Sequence, residues 1–456
     1  MIPRPDNPRP PVPTTMLKTL AKGWKVMGSA SMTLVLLLVC LGLSLATIDR
    51  VEPTGTAAGE WLAEETVSRF GDQATVLLVS EAGEGSSQLA EGFQQAIRRQ
   101  PGIHSEQVLG DPSDVRKALQ QWAASHGKLD AIACSPGMAD QLVVREAAKL
   151  FPALGQTEIL RPTGSSWPRF LGRQNLLNIL GQISVIAIVA VGMTLVVISG
   201  GIDLSVGSLV GLSAILTAAW IQWHGGGENA GTGQMLIGSL IGIGVCALIG
   251  AGNGSLVAWA GAPPFLVTLG VMLIARGTAQ QLTGGESLAH LPDRFVWLGR
   301  GADWGIPNAV ILMLALYGLA EWMLRGTVFG RHLLALGGNA KAAGFAGIPV
   351  RRVQVLAYLA SGCMAGLGGM VLASQLKSAS PTYGDGYELM VIAAVVVGGT
   401  SLSGGQGSLL GTLVGALLIA VINNGKNLLG IDPFAQKIVL GCVILLAVLL
   451  DRLRHR

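Results

Sequence analysis

The stretch from Arg325 to Arg352 has the sequence RGTVFGRHLLALGGNAKAAGFAGIPVRR. It lies between two apolar runs that are each long enough to cross a bilayer, and it carries five Lys or Arg residues but no Asp or Glu. Short basic segments between spans stay in the cytoplasm because Lys and Arg resist translocation. We therefore expect residues 325–352 to form a cytoplasmic loop that divides the membrane spans into two groups.

The centre of this loop is predicted to form a short helix over residues 340–345. Glycines precede and follow it and supply backbone angles that other residues avoid, and Pro349 blocks further helix. A compact helical knob on the cytoplasmic face of a transporter is what a motor subunit would need to push. The alternative is an ordinary solvated loop, and the loop alone does not decide between the two.

The composition is typical of a polytopic membrane protein, because 50% of the 456 residues are hydrophobic and only 13% are charged. Residues 49–173 carry a net charge of −4 and the rest of the chain +8. The basic part is thus the membrane part and its cytoplasmic ends, so nucleic acid is not implied as a partner. The five cysteines are scattered, which predicts neither a disulfide framework nor a metal site.

Outward from the loop, apolar runs predict ten transmembrane helices, six before it and four after it. They are residues 26–48, 174–202, 204–223, the two halves of 229–275 on either side of the break at 261–264, 307–320, 353–376, the two halves of 389–425 on either side of the break at 398–405, and 438–450. Both termini then lie on the same side as the loop, and both are basic. Residues 1–25 are predicted to be a disordered cytoplasmic tail, and residues 26–48 a retained helix in preference to a cleaved signal peptide.

Residues 49–172 form a different kind of sequence, which the span count places outside the membrane. Strand patterns at 74–80, 103–108 and 129–134 alternate with helical patterns at 86–100, 111–126 and 138–150. Such alternation predicts parallel pairing with right-handed crossovers. We expect a small α/β insert whose core covers about residues 72–150. The predicted fold class is therefore an all-α polytopic membrane protein of about ten helices with an α/β extracytoplasmic insert.

Three charged residues stand out in or beside the apolar runs. Asp203 is expected to cap the third span by accepting from the amide near Val206, and its glycine-flanked segment is also a candidate hinge; both can hold together. Arg276 lies about 18 Å from Pro264 along the fifth span, where it must be paired, wetted or snorkelling to the outer interface. Glu388 is expected at the outer start of the eighth span, in a capping, interfacial or transport role.

The sequence contains no GxxxxGK[ST] loop, no HExxH, no GxSxG and no CxxC. It therefore does not bind ATP through a phosphate loop, and it offers no catalytic residue. An integral-membrane enzyme is poorly supported by this pattern.

Several stretches resemble the membrane permease subunit of ribose-type sugar ABC importers. They are GMTLVVISGGIDLSVGSLVGLSA (192–214), PPFLVTLGVMLIARG (263–277), FGRHLLALGGNAKAAGFAGI (329–348), PTYGDGYELMVIAAVVVGGTSLSGGQGSLLGTLVGALL (381–418) and INNGKNLLG (422–430). The resemblance covers about residues 173–451 and the first span. It implies a ten-span subunit of the bacterial inner membrane that pairs with a second permease copy, identical or related. It also implies docking to two cytoplasmic ATPase subunits, which would hold ATP and Mg²⁺, and delivery of sugar by a periplasmic binding protein. No cofactor is expected on this chain.

The coupling helix of the resembled family falls on residues 339–348. The candidate residues for coupling to the ATPase are Gly337, Gly338, Asn339, Ala343, Phe345 and Gly347. The candidates for gating or translocation are Asp203, Ser205, Ser208, Arg276, Glu388, Thr400, Ser401, Asn423 and Asn424.

The chain departs from the resembled family in two places. Ala340 and Lys341 follow Asn339 where an acidic residue is common, and the α/β insert replaces a short link. The insert is loosely similar to part of one lobe of a sugar-binding protein, which predicts an accessory docking domain. Two other functions remain open: an ATP-independent secondary transporter or channel, which lacks an array of membrane carboxylates, and a sensor or docking protein built on the permease scaffold.

Overall fold

The computed structural model describes residues 32–51, 53, 55–81, 83–99, 102–162, 165–431, 438 and 441. The chain divides into two compact units, one of residues 48–169 and one formed by the rest of the described chain. The predicted tail of residues 1–25 and nearly all of the predicted last span at 438–450 lie outside the described residues.

The chain enters through a first apolar helix and then builds the unit of residues 48–169. The elements are α1 (Met32–Ala46), β1 (Ile48–Val51), α2 (Gly55–Phe70), β2 (Thr75–Ser80), α3 (Glu84–Ile97), β3 (His104–Leu109), α4 (Pro112–Ser125), β4 (Ala131–Cys134), α5 (Pro136–Ala139), α6 (Leu142–Arg145), α7 (Ala147–Leu150), β5 (Glu158–Leu160) and β6 (Ser165–Pro168). Strands β2 to β5 form one parallel sheet in the order β3-β2-β4-β5. The predicted parallel α/β insert is confirmed.

Both faces of this sheet are covered by helices. Val76 and Leu78 of β2 pack with apolar side chains of α2 and α3, whereas Leu77 and Val79 pack on the opposite face with α4 and the short helices after β4. Successive side chains of a strand point to opposite faces, so a strand buried on both faces is an unbroken apolar run. The unit is therefore a complete three-layer domain with two hydrophobic clusters of its own.

The structure extends the predicted core of residues 72–150 at both ends. Helix α2 precedes the first predicted strand, and β5 adds a fourth strand after the last predicted helix. The helix predicted at 138–150 is instead three short helices, α5 to α7. Strands β1 and β6 lie outside the main sheet and pair antiparallel with each other, Val51 opposite Ser165, so that the two links to the domain form one ribbon.

The second unit contains the remaining membrane helices. They are α8 (Arg173–Ile198), α9 (Val206–Trp223), α10 (Thr232–Ala260), α11 (Pro264–Thr283), α12 (Trp297–Arg300), the hairpin β7 (Ala302–Asp303) and β8 (Ile306–Pro307), α13 (Asn308–Gly326), α14 (Val328–Gly338), α15 (Ala340–Phe345), α16 (Val350–Leu376), α17 (Tyr387–Val397) and α18 (Leu409–Leu428). Seven of the described helices are long and apolar enough to cross a membrane, and α1 and α17 are shorter apolar helices. These nine correspond in order to the first nine predicted spans.

Two segments of this unit turn back inside the bundle. Asp203, just before α9, accepts a hydrogen bond of 2.8 Å from Ser361 of α16. Ser361 lies 11 residues from one end of α16 and 15 from the other, or about 16 and 22 Å of helix rise. Helix α9 therefore begins near the middle of the bilayer depth.

Helix α17 also begins at that depth, and its 11 residues are too few to cross a bilayer alone. The space that a Cβ on Gly207 would need is filled by the carboxylate of Glu388 and the carbonyl of Gly384. The first turn of α17 thus lies against the first turn of α9. The structure differs here from the expectation that Glu388 marks an outer boundary, because the segment of residues 377–386 runs into the bundle before α17 starts.

The paired ribbon predicts where the α/β domain can be removed. Replacing residues 53–162 by a short Gly/Ser turn should leave a membrane unit that inserts and purifies as a single species, because Val51 and Ser165 are already paired and both hydrophobic clusters leave together. The measurement is the yield and the size-exclusion profile in detergent.

The matched control removes residues 66–155. That deletion cuts α2 and retains its first half with Leu62 deprived of its core, so aggregation is expected. A monodisperse control beside an aggregated 53–162 variant would contradict the assignment of the domain boundaries.

Candidate functional site

The segment between α13 and α16 is a projection of two capped helices, α14 and α15. The Thr327 hydroxyl accepts from the amide of Gly330 at the start of α14, and Asn339 Oδ1 accepts from the amide of Ala342 at the start of α15, at 3.0 Å. Gly347 closes α15 with φ of 80°, a conformation that favours glycine. The predicted short helix at 340–345 is confirmed.

The two side chains singled out on α15 have opposite environments. Ala343 is 5% exposed and packs under the helix, whereas Phe345 is 93% exposed. An aromatic side chain presented in this way has no apolar partner within the described part of the chain, and aromatic anchors dominate protein interfaces. Phe345 is therefore free to contact a partner, whereas Ala343 packs within the chain.

Three glycine-containing turns meet at the base of this projection. A Cβ on Gly337 would overlap the carbonyl oxygen of Ile198 and the amide nitrogen of Gly405. The Gly405 amide donates to the Ile198 carbonyl at 2.9 Å. Gly404 in turn lies against the backbones of Gly337 and Gly200. The projection is thus in direct backbone contact with both segments that break the helical bundle, after α8 and after α17.

Gly337 and Gly338 offer a matched pair of substitutions. Gly337→Ala should destabilise the unit by about 1–3 kcal/mol, the usual cost of overpacking, because its Cβ meets backbone atoms that cannot rotate away. Gly338→Ala should be close to neutral, since nothing lies within 4 Å of that Cβ. Thermal unfolding of the purified protein measures both, and equal melting temperatures would show that the three turns are not in contact.

Asp203 is fully buried in a network of neutral donors. Its Oδ1 accepts from the amide of Ser205 at 3.0 Å and from the Ser205 hydroxyl at 2.5 Å, and its Oδ2 accepts from Ser361. Asn253 of α10 donates to the Ser205 hydroxyl at 3.1 Å. The network ties the loop before α9 to α10 and α16.

The expected cap on α9 is wrong in its detail. The carboxylate accepts from Ser205, two residues on, and Ser205 itself occupies the cap position of α9. A short polar side chain that accepts from the amide two residues later forms a local turn instead of a helix cap. Asp203 therefore fixes the shape of the loop in addition to its contact with α16.

Asp203→Asn is expected to retain the fold, because the amide oxygen can accept both Ser205 bonds and the amide nitrogen can donate to Ser361. Asp203→Leu leaves Ser205 and Ser361 without an acceptor and should cost about 1–3 kcal/mol for each unsatisfied group. Thermal unfolding and solute uptake of the three proteins are compared. A stable Asp203→Asn protein that no longer transports would show that the charge itself acts in gating.

Arg276 is paired, contrary to the option that it snorkels away from the bundle. Its Nη1 lies 2.9 Å from Asp385 Oδ1 in the segment before α17, and its guanidinium is within electrostatic range of Glu388. Arg276 Nη2 and Glu388 Oε2 are buried and have no hydrogen-bond partner among the described residues. The structure thus gathers two predicted residues and one unpredicted residue, Asp385, into one charged cluster.

The other candidates are distributed over the same bundle. Ser208 and Thr400 are buried, and their hydroxyls have no partner within the described chain. Ser401 accepts from the amide of Ser403, and Asn424 exchanges two hydrogen bonds with Asn175 of α8. Asn423 is half-buried beside it. Of these five positions, Asn424 links α18 to α8, and none of the five has a hydrogen bond or ion pair to the charged cluster among the described residues.

An internal similarity could have revealed more of this arrangement. The loop GGIDLSVGSLVG at 200–211 resembles GGTSLSGGQGSLLG at 398–411. Each follows a helix that ends at a left-handed glycine, Gly200 or Gly399, and each contains a side chain that accepts from the amide two residues on. Ser361 and Asn253 carry no such signal, because only the fold brings them to Asp203.

Multiple apolar spans, two of them entered from buried breaks, and a projecting helical segment that contacts both breaks are typical of a multi-pass membrane transport permease. The family model of the branched-chain amino acid transport system permease component matches residues 175–448. The chain belongs to this family. The match begins after the α/β unit of residues 48–169.

Relatives with known names are similar over about two thirds of the chain. The ribose import permease protein of Bacillus subtilis (strain 168) is 43% identical over 306 residues, 67% of this chain and 92% of that protein. The ribose import permease protein of Escherichia coli (strain K12) is 44% identical over 62% of this chain and 87% of its own length. The D-allose transport system permease protein of the same organism is 36% identical over 62% and 85%. No solved structure matches the chain.

Proposed function

We propose that this chain is the membrane-spanning subunit of an ATP-driven bacterial importer for a sugar or a similar small polar solute. Separate cytoplasmic ATPase subunits bind ATP and Mg²⁺, a periplasmic binding protein delivers the solute, and a second permease copy completes the pathway. The protein lies in the inner membrane with both termini in the cytoplasm. The ribose and allose import permeases among its relatives support the solute class.

The observation that carries this proposal is the projection formed by α14 and α15. Its tip exposes Phe345, and its base contacts the turns after α8 and α17 through backbone atoms of Gly337, Gly404 and Gly405. These backbone contacts can transmit a displacement of the tip to both breaks in the bundle. The projection is therefore built to pass movement of a docked ATPase to the helices that border the path.

The α/β domain acts as an accessory module in this proposal. Its sheet has four parallel strands and is covered on both faces, which is a single lobe. Binding proteins bury a small solute between two lobes, and one lobe leaves half of it in water, so tight capture of solute by this domain alone is not expected. The variant lacking residues 53–162 should transport with weaker capture of the loaded binding protein; micromolar sugar binding by the domain would indicate a built-in receptor instead.

Phe345→Asp tests the coupling role directly. The charge is placed on a fully exposed side chain, so the permease should fold normally, while the loss of the aromatic anchor should weaken ATPase docking by about 2 kcal/mol or more, the scale of an interface hot spot. The measurement is co-purification of the ATPase subunits and ATP-dependent uptake in proteoliposomes that also contain the binding protein.

Ala343→Asp is the contrasting variant, because it buries a charge under α15 and should lower the melting temperature of the permease itself. Lys341 stands on an exposed position of α15 where the resembled family commonly has an acidic residue. Lys341→Ala tests whether this positive charge contributes to ATPase docking. Wild-type uptake and ATPase binding by Phe345→Asp would refute the coupling assignment. Uptake without any ATPase would favour an ATP-independent carrier.

A further inference from the structure

The charged cluster of Arg276, Asp385 and Glu388 lies within the depth of the apolar helices. Gly207 and Gly211, in the first two turns of α9, contact Glu388 and the carbonyls of Gly384 and Tyr383. Because α9 begins beside Ser361, near the middle of α16, these contacts place Asp385 close to the bilayer midplane.

Helix α11 gives the same depth for Arg276 independently. Thr268, in the first turns of α11, accepts from the amide of Leu204 at 3.0 Å, beside Asp203. Arg276 follows Thr268 by eight residues, about 12 Å of rise, which brings it level with the second turn of α9. The guanidinium and the carboxylate that it pairs with therefore meet inside the membrane from two separate elements.

At this depth the side chain of Asp385 is 69% exposed, and that of Arg276 is 28% exposed. An exposed carboxylate near the midplane cannot face hydrocarbon without a cost of several kcal/mol, and the short Asp side chain cannot reach an interface about 15 Å away. It must face a polar space. A water-filled path beside Asp385 meets this requirement.

The cluster also has hydrogen-bonding capacity that the chain does not use. Arg276 Nη2 is a donor and Glu388 Oε2 an acceptor, and neither has a partner among the described residues. Buried polar atoms without partners are costly, and they recur where a ligand or ordered water completes the arrangement. A neutral solute rich in hydroxyl groups supplies both acceptors and donors and carries no charge to be repelled.

We propose that Arg276, Asp385 and Glu388 form the intramembrane contact site for a hydroxyl-rich solute on the wall of the translocation path. The Asp385 carboxylate accepts from solute hydroxyls, and the guanidinium donates to them while it remains paired. Because the guanidinium and the carboxylate partly neutralise each other, each binds the solute weakly enough for it to move on. The nature of the solute rests on the proposed function; the water-lined wall rests on the geometry alone.

Thiol accessibility tests the wall without any transport assay. Asp385→Cys in the full chain, reconstituted in lipid vesicles, is treated with a charged, membrane-impermeant methanethiosulfonate. A thiol in contact with water forms the reactive thiolate, whereas apolar surroundings suppress it. We expect labelling of Asp385→Cys at least about tenfold faster than that of a lipid-facing thiol at the same depth.

Ile274→Cys is the matched control. It lies two residues before Arg276, on the opposite face of α11, and its side chain is 68% exposed. The unsubstituted protein supplies the background from the native cysteines. Equal labelling of Asp385→Cys and Ile274→Cys, or no labelling of Asp385→Cys above background, overturns the assignment of the wall and leaves the permease assignment standing.

Transport then tests the contact role. Asp385→Asn removes the charge at constant size, and we expect solute uptake to fall at least about tenfold while ATPase binding is retained, with partial recovery in Asp385→Glu. Unchanged uptake by Asp385→Asn would reduce the cluster to a structural ion pair. Loss of ATPase binding in the same variant would show misfolding, and the accessibility measurement then decides alone.

Discussion

The contact of backbone against backbone is the constraint on which the membrane unit depends. Apolar side chains gain little by leaving lipid for protein, so helices in a membrane associate through close packing and internal hydrogen bonds. Gly250 of α10 and Gly362 of α16 lie so close that a Cβ on either would overlap a carbonyl of the other helix. The same holds at Gly337, where the projection formed by α14 and α15 contacts two turns. Glycine is used at these positions for proximity, whereas Gly347 and others are used for their positive φ.

Close packing also explains how polar residues survive in this bundle. Asp203 has no cation beside it among the described residues, yet three neutral donors surround it, the amide and hydroxyl of Ser205 and the hydroxyl of Ser361 on α16. Asn253 of α10 supports them by donating to the Ser205 hydroxyl. Arg276 is instead accommodated by an ion pair with Asp385, a carboxylate that faces a polar space. Two ionisable groups in one protein are thus accommodated by two different means, burial with full hydrogen bonding and exposure with pairing.

The sequence predicted the elements better than their depths. Charge-free runs located nine apolar helices, and the glycines and Pro349 around residues 340–345 located α15, because these signals are local. The start of α9 near the midplane could not be predicted, since a hydropathy pattern does not show that residues 200–205 climb back into the bundle. Because the sequence gives no depth, Glu388 was predicted at a membrane boundary and Asp385 was not predicted at all. The exposed position of Asp385 depends on the segment of residues 377–386 entering the membrane.

The ribbon formed by β1 and β6 has a meaning for how this architecture can be altered. Paired antiparallel residues have Cα atoms about 5 Å apart, so the chain leaves and re-enters the membrane unit at almost one point. A domain joined in this way can be inserted without moving apart the two ends of the chain to which it is attached. Any folded domain with neighbouring termini meets the same geometric requirement. The junction is therefore a natural port for grafting, through which a fluorescent reporter or a different recognition domain can be attached to a membrane permease.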